Sequence, residues 1–223
     1  MAWRGWWDFG SGALGDMACH ILDPVFTALK LRYPVSVEAS VSTYVSPEKL
    51  WEKVVNNETF PDASIVRYSF PVREGMLPLK LTWYDGGLMP ERPEELGPDE
   101  KMGDGGCGVI FHGSKGKLMC NTYADEPRLL PTSLMKDFVP PAKTLPRIEG
   151  GIEKNWVRAC RGLETACSNF DYSGPLTESV VMGNLAMKYP LRKLDWDGEN
   201  MVMTNYPEAN DYVKTHYREG WSL

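Results

Sequence analysis

The stretch of sequence that decides the fold reads Gly10-Ser11-Gly12-Ala13-Leu14-Gly15-Asp16-Met17-Ala18-Cys19-His20-Ile21-Leu22-Asp23. At 3.6 residues per turn, one side of this stretch and of the next turn is apolar and the opposite side is polar. The apolar residues are Leu14, Ala18, Ile21 and Val25, and the polar ones are Asp16, His20, Asp23 and Thr27. The pattern predicts a helix over residues 12–30. Because Pro24 has no backbone N–H, we expect a kink there or a restart with Asp23 as cap.

Asp16 and His20 are four residues apart, so their side chains can touch on the helix surface. A carboxylate in that place can orient an imidazole, and a histidine so held can act as general base toward a hydroxyl group. The glycines before Asp16 allow a substrate or cofactor to approach the start of the helix. A solvated polar face would show the same spacing, so both interpretations remain open.

The composition is that of a globular protein rather than a disordered one. The 223 residues are 43% hydrophobic, and 24 Lys and Arg against 30 Asp and Glu give a net charge of −6. This acidic balance disfavours nucleic acid as a partner. No apolar run approaches the roughly 20 residues of a membrane helix, so we expect no membrane partner. The five cysteines form no CxxC and fit no zinc motif.

Strand patterns follow the first helix. Apolar residues alternate with polar ones in three segments, and a hairpin is indicated around Gly113-Ser114-Lys115-Gly116. The three segments are 35–42, 64–72 and 79–83, and the hairpin joins 109–112 to 117–123. Residues 85–106 are rich in Gly, Pro and acids and are expected to form a long loop. A last hairpin is predicted at Asp197-Gly198.

Helices are predicted in the second half of the chain as well. Residues 150–168 place five apolar or thiol side chains on one face, and further helices are expected after Pro175 and from Pro207. The five are Ile152, Trp156, Cys160, Leu163 and Cys167. The passage 127–147 is rich in proline and shows no period. This order of elements predicts an α+β fold with a large, open, mostly antiparallel sheet that helices cover on one face.

Several of these residues resemble a known family. Trp3-Arg4, the glycine-rich lead 10–15 and Asp16-x-x-x-His20-x-x-Asp23 are similar to the C-terminal domain of the Gfo/Idh/MocA oxidoreductases, which include glucose–fructose oxidoreductase and inositol dehydrogenase. The stretches 83–90 and 217–221 resemble a bacterial branch of that family. Together these stretches span almost the whole chain.

The resemblance implies a two-domain parent protein. Its first domain would be a Rossmann domain that binds NAD or NADP, and its second an α/β domain on a large open sheet. No GxGxxG follows a strand in this chain, the glycines of 103–108 lie in an acidic loop, and the family's Glu-Lys-Pro lysine has no counterpart. Tryptophans at 3, 6 and 7 are typical of a domain interior. We therefore expect a truncated chain without the Rossmann domain, binding no NAD(P) and inactive alone.

The resemblance also implies roles for individual residues. The reaction would be hydride transfer from a carbinol carbon of a small sugar or polyol, with His20 as acid/base and Asp16 orienting His20 or binding a substrate hydroxyl. Arg4, Trp7 and Asp85 would line the substrate or cofactor cleft. For these three, a surface arginine stacked on tryptophan, a core tryptophan and a solvated loop acid remain open. No metal ligand is implied.

Residues 1–223 are accordingly predicted to form one substrate-binding and oligomerisation domain. Its partners would be the missing Rossmann domain and further copies of the chain, bound through the open sheet face. Cytoplasm and periplasm both remain open as the compartment. Two alternatives stay beside this prediction: a non-catalytic dimerisation or carbohydrate-binding module, and a metal-dependent hydrolase using Asp16, His20 and Asp23.

Overall fold

A computed structural model describes residues 2–54, 56–214 and 217–221. The chain divides into two compact units, one of residues 1–91 with 178–223 and the other of residues 92–177. The described helices are α1 (Gly12–Ile21), α2 (Asp23–Leu29), α3 (Ile152–Cys160) and α4 (Phe170–Lys188). The described strands are β1 (Ser36–Val41), β2 (Tyr44–Val45), β3 (Lys53–Val54), β4 (Ser64–Phe70), β5 (Leu79–Tyr84), β6 (Val109–Gly113), β7 (Gly116–Cys120), β8 (Arg128–Leu130), β9 (Lys193–Asp197) and β10 (Val202–Met203).

The first unit is built on a five-stranded sheet in the order β10-β9-β1-β4-β5, and every neighbouring pair is antiparallel. The alternation seen in the sequence has the predicted effect, because Val37, Val66 and Tyr68 are all buried on one face. On the other face Glu38 lies opposite Arg67 on one side and Lys193 on the other. The sheet therefore has an apolar face and a charged face.

Helices pack on the apolar face. Phe26 of α2 meets Phe70 of β4 edge-on, with ring centroids 6.0 Å apart. A Cβ added to Gly183 of α4 would lie 2.0 Å from the Tyr68 hydroxyl and 2.3 Å from Leu14, so α4 touches β4 and α1 closely at this glycine. The predicted α+β fold, with an open antiparallel sheet covered on one face, is confirmed.

The predicted break at Pro24 is present. α1 ends at Ile21 and α2 begins at Asp23, which places Pro24 at the start of a helix, where its missing N–H leaves no hydrogen bond unmade. The cap of α2 is Leu22 rather than Asp23, and Asp23 lies in the first turn instead. The apolar stripe of both helices is buried, as predicted, while the polar stripe is exposed.

The second unit holds a three-stranded antiparallel sheet in the order β6-β7-β8. Leu96, Met119 and Leu130 form a small buried core cluster. The predicted hairpin is the β6–β7 pair, and residues 85–106 contain no helix or strand. The strand β8 lies in the proline-rich passage, where three residues are too few to show an alternation.

Two helix predictions in the second half of the chain are corrected. α3 stops at Cys160, and Gly162 follows with φ +70°, a left-handed conformation that ends helices. The predicted apolar face is exposed, with Trp156 at 65% and Leu163 at 69%, and the buried residue of α3 is Asn155. α4 begins at Phe170, so Pro175 lies inside this helix rather than before it.

Pro207 opens a short 3-10 helix, Pro207–Tyr212, rather than an α-helix. Within the described part of the chain, no helix has both the length and the apolar character needed to cross a membrane.

Candidate functional site

α1 carries the predicted acid and imidazole on its solvent side. Asp16 and His20 are both exposed and lie one turn apart on the same helix. The helix begins after Ser11, and Gly12 there has φ +70°, a conformation that only glycine adopts without strain. A Cβ at this position would lie 2.6 Å from the Phe60 ring, so the glycine also allows close packing.

Arg4 is the partner of Asp16. Its Nη1 donates to Asp16 Oδ2, and both side chains are about half exposed (46% and 49%). Arg4 belongs to the 3-10 turn Trp3–Gly5, whose backbone lies against Gly10, where a Cβ would come within 2.4 Å of the Arg4 Cα. Glycine at position 10 therefore brings this turn close to α1. Sequence reasoning did not find the pair, because residues 12 apart share no helical or strand period.

The resulting surface combines three chemistries on one side of the first unit. The Arg4 guanidinium and the Asp16 carboxylate form an ion pair, and the His20 imidazole lies one turn further along α1. An ionised carboxylate beside an imidazole stabilises the imidazolium that forms when histidine takes a proton. An acid/base role of His20 toward a ligand hydroxyl group stays a prediction.

Trp7 is half-buried and already has neighbours on its ring. Phe60 stacks on it with centroids 3.5 Å apart, and the Lys188 Nζ lies 4.1 Å from the ring centroid. The same ammonium lies 4.9 Å from the Tyr212 ring, and partial burial lowers the pKa of Lys188, with nearby Asp8 acting in the opposite sense. Phe60 and Lys188 therefore already cover part of the Trp7 ring. The cleft role of Trp7 stays a prediction.

Asp85 anchors the end of β5 to β4. Its Oδ1 accepts hydrogen bonds from the Ser64 backbone N–H (2.6 Å) and hydroxyl (2.8 Å), and its Oδ2 accepts one from Trp83 Nε1 (2.9 Å). Such bonds to an ionised carboxylate are among the stronger ones in proteins. The structure therefore gives Asp85 a clear structural function, and its contact with substrate stays a prediction.

Two buried polar atoms under α1 have no hydrogen-bond partner among the described residues. They are the hydroxyl oxygen of Tyr68 and the Oδ1 of Asn184. Burial raises the pKa of Tyr68 well above its usual range, and the charge of Asp85 adds to the effect. Asn184 is 8% exposed and donates through Nδ2 to the carbonyl of Ser11, 2.9 Å away. Neither residue could be singled out from the sequence.

The glycine run 103–108 of the second unit does not offer a dinucleotide cradle. The Asp104 carboxylate accepts hydrogen bonds from the Thr122 hydroxyl and from the backbone N–H groups of Cys107 and Gly106. These bonds, that of Thr122 first, lower the pKa of Asp104 to about 2. Because the amides are used internally and no helix follows, they are not available to phosphate groups.

A polar cavity of about 410 Å³ also lies in the second unit. Its lining groups satisfy one another: Thr132 donates to Glu100, and Arg128 donates to Asn121 (3.2 Å). Across residues 2–54, 56–214 and 217–221, no three His, Cys, Asp or Glu side chains are grouped so that they could hold a metal ion. Asp16, His20 and Asp23 therefore do not form the ligand set that a metal-dependent hydrolase would need.

Residues 1–57 match the model of the Gfo/Idh/MocA group described as the oxidoreductase family, C-terminal alpha/beta domain. The matched segment holds Arg4, α1, α2 and β1. The resemblance inferred from the sequence is confirmed for this segment. No curated protein matches the chain.

Proposed function

We propose that this chain supplies the substrate side of an NAD(P)-dependent oxidoreductase that acts on a hydroxyl group of a sugar or polyol. One observation supports this most strongly. The segment that matches an oxidoreductase C-terminal domain is the same segment that presents a paired Arg4 and Asp16 and an exposed His20 on α1.

His20 acts as the general base in this proposal. It takes the proton of the substrate hydroxyl while the carbinol carbon is oxidised, and it returns a proton in the reverse direction. Asp16, which is paired with Arg4, orients His20 or accepts a hydrogen bond from a second substrate hydroxyl. The oxidation itself needs a hydride acceptor, and a nicotinamide coenzyme supplies that chemistry.

We assign the coenzyme to a Rossmann domain outside the described residues. The glycine run of this chain is a poor site for a dinucleotide, because its backbone N–H groups at Gly106 and Cys107 already donate to the Asp104 carboxylate. Residues 1–223 then serve together as the substrate-binding and oligomerisation domain, and the chain alone turns over no substrate.

The charged sheet face is proposed to join copies of the chain. Glu38 lies between Arg67 and Lys193 on neighbouring strands, so the face alternates in charge. In a two-fold arrangement, an acidic position of one copy can meet a basic position of the other. The same observation supports the alternative of a non-catalytic dimerisation or carbohydrate-binding module.

The deciding experiment is an activity assay on the product of the extended reading frame. We expect that coding sequence upstream of Met1 adds a Rossmann domain and that the longer protein reduces NAD or NADP with a sugar or polyol, followed by absorbance at 340 nm. His20→Ala should abolish this activity, while the exposed His112→Ala serves as matched control. An active His20→Ala enzyme would remove His20 from the reaction. A stop codon directly upstream, with sugar binding by the chain itself, would favour the module.

A further inference from the structure

The amide of Asn184 joins the end of α4 to the start of α1. Its Nδ2 donates to the Ser11 carbonyl over 2.9 Å, although the two residues are 173 positions apart. Ser11 is the cap residue of α1, its side chain makes no capping bond, and its carbonyl also accepts the N–H of Gly15 (3.0 Å). A single side chain on α4 therefore holds the first carbonyl of the helix that carries Asp16 and His20.

The packing around this amide is tight on both helices. A Cβ on Gly15 would lie 3.3 Å from Asn184 Nδ2 and 2.3 Å from the Ser11 side chain. On α4, the preceding residue Gly183 would bring a Cβ within 2.3 Å of Leu14. Glycine on each helix thus allows the approach that places the amide on Ser11. The two helices leave little room for the carbonyl to move.

A chain of contacts leads from this amide to the candidate site. Ser11 follows Gly10, and Gly10 lies against the backbone of Arg4, whose guanidinium holds Asp16. A shift of the Ser11 carbonyl therefore moves both the surface under Arg4 and the first turn of α1. The geometry of the Arg4–Asp16 pair depends on where this carbonyl is held.

The Oδ1 of the Asn184 amide is buried without a hydrogen-bond partner among the described residues, so packing alone does not account for an asparagine at this position. Only 8% of the surface of Asn184 is exposed. An unsatisfied buried acceptor costs stability, and an apolar side chain of similar size would avoid that cost. What the apolar side chain cannot supply is the N–H that Ser11 accepts.

We infer that Asn184 is a positioning residue for the Arg4–Asp16 pair and hence for the acid/base face of α1. Its importance for catalysis rests on the proposed function, whereas its effect on the geometry does not. The two can be tested separately, because the geometry is measurable in the chain without turnover.

The test is nuclear magnetic resonance on the 223-residue chain. In Asn184→Leu we expect the Gly15 amide to exchange with solvent at least tenfold faster than in the wild type. The Arg4 side-chain N–H resonances should move toward those of Asp16→Ala, which provides the reference for an unpaired guanidinium. Asn184→Asp keeps the shape but places acceptors against the Ser11 carbonyl, so it should move the same signals further.

Asn210→Leu is the matched control. Asn210 also bonds backbone in the first unit, with Met203 N–H (2.7 Å) and carbonyl (3.0 Å), so its loss should leave Gly15 and Arg4 unchanged. Wild-type exchange and wild-type Arg4 signals in Asn184→Leu would overturn the inference, as would equal changes in Asn210→Leu. If neither Asn184 variant folds, the wild type decides, since side-chain amide protons of Asn184 exchanging as fast as a free amide would also overturn it. If Arg4 responds while His20→Ala leaves the longer enzyme active, only the proposed function fails.

Discussion

Asp16 shows most directly how one residue links the fold to the proposed chemistry. Its carboxylate faces Arg4 and lies one turn from His20. If the proposed function holds, Asp16→Ala in the longer protein should lower kcat/KM about 10²-fold or more, as expected when a general base loses its charged partner. Stability should hardly change, because an exposed ion pair contributes little.

Asp23→Ala is the control for this prediction, since Asp23 is an exposed acid on the same side of the helix pair. Steady-state kinetics with saturating coenzyme measure the effect. A rate for Asp16→Ala equal to the wild-type rate would show that the carboxylate takes no part in the reaction.

Asp85 gives a stability prediction at the residue scale. Asp85→Ala leaves the Ser64 backbone N–H and hydroxyl and the Trp83 Nε1 without their acceptor. We expect a loss of about 1–3 kcal/mol in the free energy of unfolding, measured by urea denaturation. The exposed Asp62→Ala should lose much less. Equal losses in the two variants would argue against an anchoring role for Asp85.

The helical period predicted that Asp16 and His20 lie on the same face, because residues four apart in a helix are neighbours on its surface. The contacts of Arg4 with Asp16 and of Asn184 with Ser11 could not be predicted. They depend on where distant stretches of chain meet, and no spacing in the sequence encodes that meeting.

At the scale of elements, alanine substitutions at two glycines of α4 should have different effects on the free energy of unfolding. Gly183→Ala puts a methyl group 2.0 Å from the Tyr68 hydroxyl and 2.3 Å from Leu14, so the helix must shift. Overpacking of this kind costs about 1–3 kcal/mol. Gly174→Ala meets no atom within 4 Å and should remain within about 1 kcal/mol of the wild type.

Chemical denaturation of both α4 variants tests this contrast. A Gly183→Ala protein as stable as Gly174→Ala would mean that α4 and β4 are not in close contact at this point.

The turn around Asp104 predicts a dependence on pH. Since its pKa is about 2 in the folded chain, below the ordinary 3.8, the folded state binds this proton more weakly than the unfolded state does. The stabilisation is therefore complete above pH 4 and is lost as the pH falls toward 2. The difference in unfolding free energy between wild type and Asp104→Asn should shrink over that range.

Denaturation curves between pH 5 and pH 2 measure this difference, and the exposed Asp99→Asn provides the reference. A gap between wild type and Asp104→Asn that stays constant down to pH 2 would contradict the role of the carboxylate in this turn.

Elements with a strong period were predicted well, and short or irregular ones were not. β1, β4 and β5 alternate over six or seven residues and were found. α3 has an apolar stripe too, yet Ile152 and Trp156 are exposed, because amphipathicity shows that a face is apolar without showing what it packs against. Gly162 ended the helix earlier than the stripe suggested.

For the whole molecule, the charged sheet face predicts a change of assembly. If copies of the chain meet through this face, Arg67→Glu places a second acidic side chain opposite Glu38 and should weaken association at least tenfold. Light scattering coupled to size exclusion measures the mass, with the exposed Lys53→Glu of β3 as control. A dimer of unchanged strength, or a monomeric wild type at high concentration, would contradict the proposed interface.

We expect proteases to cleave the chain first within residues 133–151. All of them are exposed, and they include Lys136, Lys143 and Arg147. Exposed chain with few hydrogen bonds opens at little cost, so trypsin should cleave there before it cleaves elsewhere. Mass spectrometry of early fragments identifies the sites. Early cleavage at Arg67 or Lys80 in the sheet instead would contradict the assignment of this segment as the most accessible.

The overall architecture followed from the order of periodic segments, which left few α+β arrangements open. The division into two units could not be predicted in this way, because the separate small core of Leu96, Met119 and Leu130 comes from short segments within a loop-rich region.

The pairing of β1 with β9 carries a consequence for biosynthesis. Ser36 lies opposite Asp195, so neighbouring strands of one sheet leave the ribosome about 160 residues apart. α1 and β1 are translated before the second unit, whereas β9, which pairs with β1, is translated after it. The edge of β1 that pairs with β9 therefore stays unpaired while residues 92–177 are synthesised, and the first unit, which holds Arg4, Asp16 and His20, is completed only after β9 has been translated.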